Sequence, residues 1–270
     1  ECLPARRFFA GISSMGTLCC REAPMPGASR IYVIIFLGFS CTTASRESVS
    51  LNGSGVSLDL ASYRSKQVQD VVYQLSFVIP KEKEMPIASR LTLSMTLTDL
   101  SYPVFLDFKE EASALFEVVV NKKSIPVLHQ EEHLIIPVDA LHLGKNTIDI
   151  DFRAGNLSLN RNDDYLYTLL VPDRARTVFP CFDQPNIKAT YLVKVSAPRD
   201  WEVLSAAPLA SKASNGEIST YQFDPSDKMS TYHFSMVAGK FKVVEFRDTE
   251  REMNMLYRET DKEKIASSTA

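Results

Sequence analysis

The chain has 270 residues, 45% of them apolar and 23% charged, which is the composition of an ordinary folded protein with one large or two small domains. Thirty Lys and Arg against 33 Asp and Glu give a net charge of −3, so the strongly basic surface that phosphate-backbone binding requires is not indicated. We therefore expect no nucleic-acid partner.

The first 46 residues differ from the rest in charge and cysteine content. They hold five Arg against two Glu, a net charge of +3 that leaves −6 for the remainder, and four of the five Cys. Because the body keeps only Cys181, a disulfide framework is excluded there. Within this segment Arg30 precedes an apolar run over residues 31–39, which is too short to span a bilayer and ends at Ser40 and Cys41.

A basic flank, a short apolar run and then small residues are typical of a secretory signal, with Met25 as the start and residues 1–24 as readthrough. Cys41 resembles the acylated Cys of a bacterial lipoprotein signal, although Gly38 and Phe39 stand where that signal has Leu and a small residue. We predict lipidation of Cys41, membrane attachment through this lipid anchor, and export to the bacterial cell envelope, as a periplasmic or membrane-anchored protein. A buried strand with a free Cys is the alternative.

From residue 71 onward, apolar and polar residues alternate with a period of two, which is the pattern of half-buried strands. No stretch shows a capped helical period, and residues 112–116 form at most one or two turns. Turn residues separate the alternating segments at 121–123, 144–146, 215–216 and 224–225. The predicted fold class is mainly β, as one large antiparallel sheet or two packed sheets. Strands are predicted over residues 71–79, 91–97, 104–108, 116–120, 134–136, 147–152, 165–171, 190–196, 218–223, 231–237, 241–246 and 253–257.

Residues 129–133 read His-Gln-Glu-Glu-His and fit H-x-x-E-H, a zinc-protease pattern that needs a helix to bring both His to one face. Pro126 and Pro137 flank the segment, and its neighbours are strand formers. The segment therefore predicts a solvated hairpin tip. Because His129 and His133 on one strand would lie about 13 Å apart, too far for one ion, zinc is the less favoured interpretation.

The most informative run is residues 165–185, a strand followed by a loop whose second half reads A-R-T-V-F-P-C-F-D-Q-P. Pro180 and Pro185 bracket a short polar tip and hold it at a fixed geometry. Arg176 is close enough in sequence to pair with Asp183. From the residues alone, a purely structural turn serves as well as a binding tip.

This run resembles the N-terminal domain of the zinc aminopeptidases of the aminopeptidase N and leukotriene hydrolase type, whose signature reads A-R-x-x-F-P-C-F-D-E-P. Gln184 stands for the Glu. Residues 71–80 and 230–241 are similar to other stretches of that domain. The resemblance implies a large saddle-shaped antiparallel β-sheet domain over residues 47–258, which closes one wall of the active site of a thermolysin-like catalytic domain.

The same resemblance implies a metallo-aminopeptidase, a hydrolase that removes N-terminal residues from peptides, with zinc in the full-length protein. The family's G-x-M-E-N loop and H-E-x-x-H zinc helix do not occur before Ala270. We therefore expect residues 259–270 to begin a connection to a missing catalytic domain. We predict no catalytic residue, no metal ligand and no peptide cleavage in these 270 residues alone. The expected partners are peptide substrates and the downstream catalytic domain.

One departure from the family concerns the substrate's free α-amine. The two family residues that hold it, a Gln and a second Gln or Glu, fall on Leu169 and Val171, which cannot accept a hydrogen bond from an ammonium group. We expect altered amine recognition, with Asp173, Asp163 or Asp164 compensating, or else loss of exopeptidase preference. The predicted substrate-binding residues near the amine site are Leu169, Val171, Asp173, Cys181, Phe182, Asp183 and Gln184.

Two other classes of protein stay open. A non-catalytic relative that keeps the domain as an interaction scaffold would account for Leu169 and Val171. A surface lipoprotein of β-sandwich type, binding glycans or proteins, would stack sugars on Trp201, Tyr221 and Tyr232, although strand aromatics are more often core residues.

Overall fold

The computed structural model describes residues 53–247 and 252–269, so the predicted signal segment and Cys41 lie outside the described residues. Within these ranges, no helix is long and apolar enough to cross a membrane. The described chain is mainly β, as predicted. Its strands are β1 (Val68–Val78), β2 (Ala88–Leu97), β3 (Val104–Asp107), β4 (Leu115–Val120), β5 (Lys123–Ile125), β6 (His129–Gln130), β7 (His133–Ile136), β8 (Gly144–Arg153), β9 (Leu159–Arg161), β10 (Tyr165–Thr168), β11 (Ala189–Pro198), β12 (Glu202–Ser205), β13 (Leu209–Asn215), β14 (Ile218–Phe223), β15 (Met236–Gly239), β16 (Lys242–Arg247) and β17 (Glu252–Tyr257).

The strands form one large sheet and three smaller ones. The large sheet has eight strands in the order β13-β14-β11-β1-β2-β8-β4-β5. The smaller sheets are β12-β15-β10-β9, β3-β7-β6 and β16-β17. The expectation of a wholly antiparallel sheet needs one correction, because β1 and β11 pair in parallel. More than a hundred residues separate these two strands, far more than the dozen or so that a parallel crossover needs.

The core lies on one face of the large sheet, because the alternation along each strand sends every second side chain there. Tyr73, Leu75 and Phe77 of β1 are buried, and Gln74 between them faces solvent. The same alternation runs through β2, β8 and β11. Strands β1, β2, β8 and β11, with the sheets β12-β15-β10-β9 and β3-β7-β6, contribute to one apolar cluster.

The described residues include two helices, whereas the sequence predicted none. Helix α1 (Leu58–Gln67) was not predicted, and α2 (Lys262–Thr269) lies near the end of the chain. The buried face of α1 consists of Leu60, Arg64 and Gln67, so two of its three inward residues are polar and the apolar period is missing. Residues 231–233 form a 3₁₀ turn, so only the end of the predicted strand 231–237 is extended, in β15.

Candidate functional site

The signature loop, defined here as residues 169–185, follows the end of β10 in the four-stranded sheet and leads to β11 in the large sheet. Strand β10 ends at Thr168, earlier than predicted, although the Leu169 N–H still donates to the Ser158 carbonyl at 2.9 Å. A 3₁₀ turn at Ala175–Thr177 then reverses the chain. The loop therefore has two parts. Its entry, residues 169–173, lies at the end of β10 and is largely exposed, whereas its tip, residues 179–184, turns into the core.

The apolar residues of the tip are fully buried. Phe179, Cys181 and Phe182 have no exposed surface. Phe179 meets Phe234 edge to face at 5.4 Å, and the Phe182 N–H donates to the Tyr73 hydroxyl at 2.9 Å. Burial raises the pKa of the Cys181 thiol well above its usual value, and the nearby carboxylates of the core raise it further. These side chains fix the tip against β1.

The polar residues of the tip are also buried, and each has partners in the protein. Asp183 accepts hydrogen bonds from the Thr231 hydroxyl at 2.6 Å and from the Arg176 backbone N–H at 3.1 Å. The predicted pairing of Arg176 with Asp183 is therefore a backbone contact, not a salt bridge of the guanidinium group. Burial raises the pKa of Asp183 even against these hydrogen bonds. The Gln184 side-chain amide donates to the Ala61 carbonyl of α1 at 3.1 Å.

Leu169, Val171 and Asp173 occupy the exposed entry of the loop. Leu169 is 54% exposed and Val171 67% exposed, whereas Leu170 between them is buried. The Asp173 carboxylate lies 3.0 Å from the Arg176 guanidinium. The seven predicted site residues thus divide into three that reach solvent and four that hold the loop in place, namely Cys181, Phe182, Asp183 and Gln184.

Behind the tip lies a buried ionic cluster that the sequence did not reveal. Asp107 at the end of β3 receives both terminal nitrogens of Arg64, at 2.8 and 2.6 Å, and neither side chain has exposed surface. Asp107 also accepts the Asp183 N–H at 2.8 Å, and its backbone bonds in both directions with Cys181. Burial by itself raises the pKa of a carboxyl, but the charge of Arg64 and the hydrogen bonds from His133 and Arg64 hold the pKa of Asp107 at about 2.

The His-Gln-Glu-Glu-His segment is a hairpin, as predicted, but the expectation that it is solvated is wrong for His133, which is buried. Strands β6 and β7 flank a turn in which Glu131 and Glu132 both have positive φ. His129 Nε2 lies 2.8 Å from the Phe108 carbonyl, while His133 is buried with Nδ1 2.8 Å from Asp107. Among residues 53–247 and 252–269, no three His, Cys, Asp or Glu side chains converge as a metal site.

The sugar-stacking interpretation fails for two of its three aromatic residues. Trp201 is 1% exposed and Tyr221 has no exposed surface, with its hydroxyl donating to the Trp201 carbonyl. Tyr232 is half-buried in the 3₁₀ turn at Thr231–His233. Strand alternation sends Tyr221 of β14 into the core, and Trp201, just before β12, is buried as well, so no ligand can reach either side chain.

Comparison with known proteins relates this fold and loop to one family. The model of the peptidase M1 N-terminal domain matches residues 69–233. Aminopeptidase N of Streptomyces lividans is 38% identical over 144 residues, which cover 49% of this chain and 16% of that protein. Aminopeptidase M1 of Arabidopsis thaliana is 32% identical over 133 residues, which cover 47% of this chain and 15% of that protein. The chain thus spans about a sixth of the length of these relatives.

Solved structures agree on the fold. An M1 zinc metallopeptidase from Deinococcus radiodurans, bound to a Tyr-Ser-Ala substrate, matches with a TM-score of 0.55 at 15% identity. A two-domain M1 zinc metallopeptidase bound to L-arginine matches with a TM-score of 0.57, also at 15% identity. Each match covers 70% of this chain and 46% of the solved one.

Proposed function

Because the chain belongs to the peptidase M1 N-terminal domain family, we propose that it is the substrate-side domain of a zinc aminopeptidase that removes N-terminal residues from peptides. The observation that carries the proposal is the signature loop. Its family residues fold inward and fix a rigid tip, and this leaves the entry of the loop as an exposed surface at the end of β10. The peptide chemistry is assigned to a catalytic domain downstream of these residues.

The exposed apolar side chains near the loop entry support contact with that downstream domain. Leu157 is 70% exposed and precedes Ser158, whose carbonyl accepts the Leu169 N–H. Leu157, Leu169 and Val171 therefore place three large apolar side chains in solvent along neighbouring backbone. Exposed apolar groups that are adjacent in this way mark interaction surfaces. We propose that this surface faces the catalytic domain and the peptide between them.

Zinc, when bound in an enzyme of this type, polarises the scissile carbonyl and lowers the pKa of a bound water. The described residues do not fit this ion, since none of them converge as a metal site. The proposal therefore assigns the zinc ligands to the downstream domain. What this chain supplies is a wall that orients the peptide.

The loop entry bears on how the peptide's free amine is recognised. Leu169 and Val171 offer no acceptor to an ammonium group. Of the acids that could compensate, Asp164 lies 2.8 Å from Lys240, and Asp173 lies 3.0 Å from Arg176. Asp163 is 72% exposed and lies 3.7 Å from Lys83. Since all three carboxylates already face a cation, we propose that this enzyme prefers the free amine less strongly than its relatives do.

The test uses the full-length protein, assayed on one peptide with a free and with an acetylated N-terminus, before and after metal chelation. We expect chelator-sensitive hydrolysis of both peptides at rates within about tenfold. Replacing both residues, Leu169→Gln and Val171→Gln, restores acceptors for the amine, so it should raise the preference for the free amine by tenfold or more. Leu143→Gln is the matched control, because it makes the same change at an exposed apolar position outside the proposed surface.

The alternative is a non-catalytic scaffold, which the apolar residues at 169 and 171 favour. Full-length protein that hydrolyses neither peptide, with or without added zinc, would support the scaffold over the enzyme.

Export and lipidation at Cys41 are a separate proposal, supported by the charge and apolar pattern of residues 1–46. Mass analysis of the mature protein from its native host would test it, because an acylated N-terminal Cys41 is the expected species.

A further inference from the structure

Helix α1 precedes the region that the family model matches, which begins at residue 69. Its first turn is capped by Ser57, whose hydroxyl accepts the Leu60 N–H at 3.1 Å. The turn before it is also fixed, because the Gly53 carbonyl lies 2.9 Å from Nε2 of the buried His133. The helix is therefore attached to the domain at both of its ends, since the Gln67 side chain donates to the Tyr102 carbonyl at 3.1 Å.

The inward face of α1 contacts the signature loop directly. Arg64 lies with its guanidinium carbon 5.7 Å from the centre of the Phe182 ring. The Ala61 carbonyl accepts the Gln184 side-chain amide. Two residues of the buried tip thus have a partner in a helix outside the matched region.

A chain of hydrogen bonds and ion pairs leads from α1 to the exposed entry of the loop. Arg64 holds Asp107 by two hydrogen bonds, and Asp107 accepts the Asp183 N–H at 2.8 Å. The Asp183 carboxylate accepts the Arg176 N–H at 3.1 Å. The Arg176 guanidinium lies 3.0 Å from Asp173. Each link is a charge-assisted contact, and the first two, from Arg64 to Asp107 and from the Asp183 N–H to Asp107, are buried, where such contacts are strongest.

We infer that α1 is a clasp for the signature loop and that Arg64 is a positioning residue for the loop entry. Arg64 acts through Asp107 and Asp183 and touches neither Asp173 nor the exposed surface. Removing its charge leaves the buried Asp107 carboxylate with only His133 and the Asp183 N–H beside it, and hydrating that carboxylate requires the tip to open. The inference rests on the proposed function only in taking the loop entry as the substrate-side surface.

Cys181 provides a readout of loop opening that needs no enzyme activity. It is fully buried in the tip, and burial suppresses its thiolate, so alkylation requires the loop to open. The test measures the rate of iodoacetamide modification at Cys181 in the full-length protein, located by peptide mass mapping. The variants are Arg64→Lys, which keeps the charge, and Arg64→Met, which removes it.

We expect Arg64→Met to raise the Cys181 modification rate by about tenfold or more, with Arg64→Lys between it and the wild type. Arg90→Met is the matched control. Arg90 makes the same kind of two-nitrogen pair, with Asp151, but on the exposed face of the large sheet, so its loss should leave the rate unchanged. A folded Arg64→Met protein that reacts at the wild-type rate would overturn the clasp. If circular dichroism shows that Arg64→Met does not fold, the Cys181 modification rate of Arg64→Lys is compared with that of the wild type instead. Equal rates in these two proteins would then overturn the clasp.

A second arm measures peptide hydrolysis by the full-length variants. Displacement of the loop entry should raise KM for a free-amine peptide more than it lowers kcat, because the entry binds the peptide and the chemistry lies elsewhere. A raised modification rate with unchanged KM would overturn the positioning role. If the wild-type protein hydrolyses no peptide, the proposed function fails, while the Cys181 rates still decide whether α1 is a clasp.

Discussion

Two arginine–aspartate pairs of similar geometry lie in different regions of this molecule. Arg64 and Asp107 pair behind the signature loop, where neither side chain has any exposed surface. Arg90 and Asp151 pair on the outer face of the large sheet, where their side chains are 62% and 34% exposed. Both pairs use two guanidinium nitrogens on two carboxylate oxygens.

The difference in solvent exposure decides how much each ion pair contributes to stability. An exposed ion pair contributes little to the free energy of unfolding, because water screens its charges and holding two long side chains in one geometry costs entropy. In the core, the pair must stay complete, because a single buried charge is far more costly than a missing pair. The buried pair is therefore the one that can hold a loop in a single position.

The largest expected effect comes from breaking the buried pair. Asp107→Ala leaves Arg64 buried without a counter-charge and removes the acceptor of the Asp183 N–H, so we expect a loss of about 3–5 kcal/mol of unfolding free energy. Urea denaturation measures it. Asp151→Ala makes the same change on the exposed pair and is the control. Equal losses in the two variants would show that burial does not distinguish them.

Acid should weaken the buried pair next. The pKa of Asp107 is about 2 in the folded protein, below its unfolded value near 4. Its contribution is therefore complete above about pH 4 and is lost as pH falls through about 2, a loss of roughly 2 kcal/mol. Urea midpoints at pH 5, 4, 3 and 2 follow it. In Asp107→Asn, the free energy of unfolding should fall less between pH 5 and pH 2 than in the wild type. An equal fall in both proteins would assign the loss to other carboxyl groups.

The smallest expected effect is at the exposed pair. Arg90→Met should change the free energy of unfolding by less than about 1 kcal/mol, and 1 M salt should reduce even this difference. The same salt should leave the cost of Asp107→Ala nearly unchanged, because buried charges are screened much less. Denaturation of both variants at low and high salt makes the comparison. A large, salt-independent effect at Arg90 would contradict it.

Local patterns explain why much of the fold was predictable. The alternation that begins at residue 71 became strands because its apolar positions all fall on one face. The hairpin at residues 129–136 followed from prolines and strand formers that exclude a helix. The parallel pairing of β1 with β11 had no local signal, since it depends on which distant strand lies alongside.

The ionic cluster was not predictable from local sequence for the same reason. Arg64, Asp107 and Asp183 are separated by 43 and 76 residues and meet only in the folded chain. Helix α1 gave no apolar period, because Arg64 and Gln67 occupy its buried face. The signature loop could be found by resemblance, but only the structure separates its exposed entry from its buried tip.

The most direct test of the central proposal compares peptide hydrolysis by these 270 residues alone with hydrolysis by the full-length protein, both supplied with zinc. We predict that the full-length protein releases N-terminal residues and loses this activity on chelation, while the isolated 270 residues release none. Zinc-dependent hydrolysis by the isolated chain, or none by the folded full-length protein, would contradict a substrate-side domain whose chemistry lies downstream.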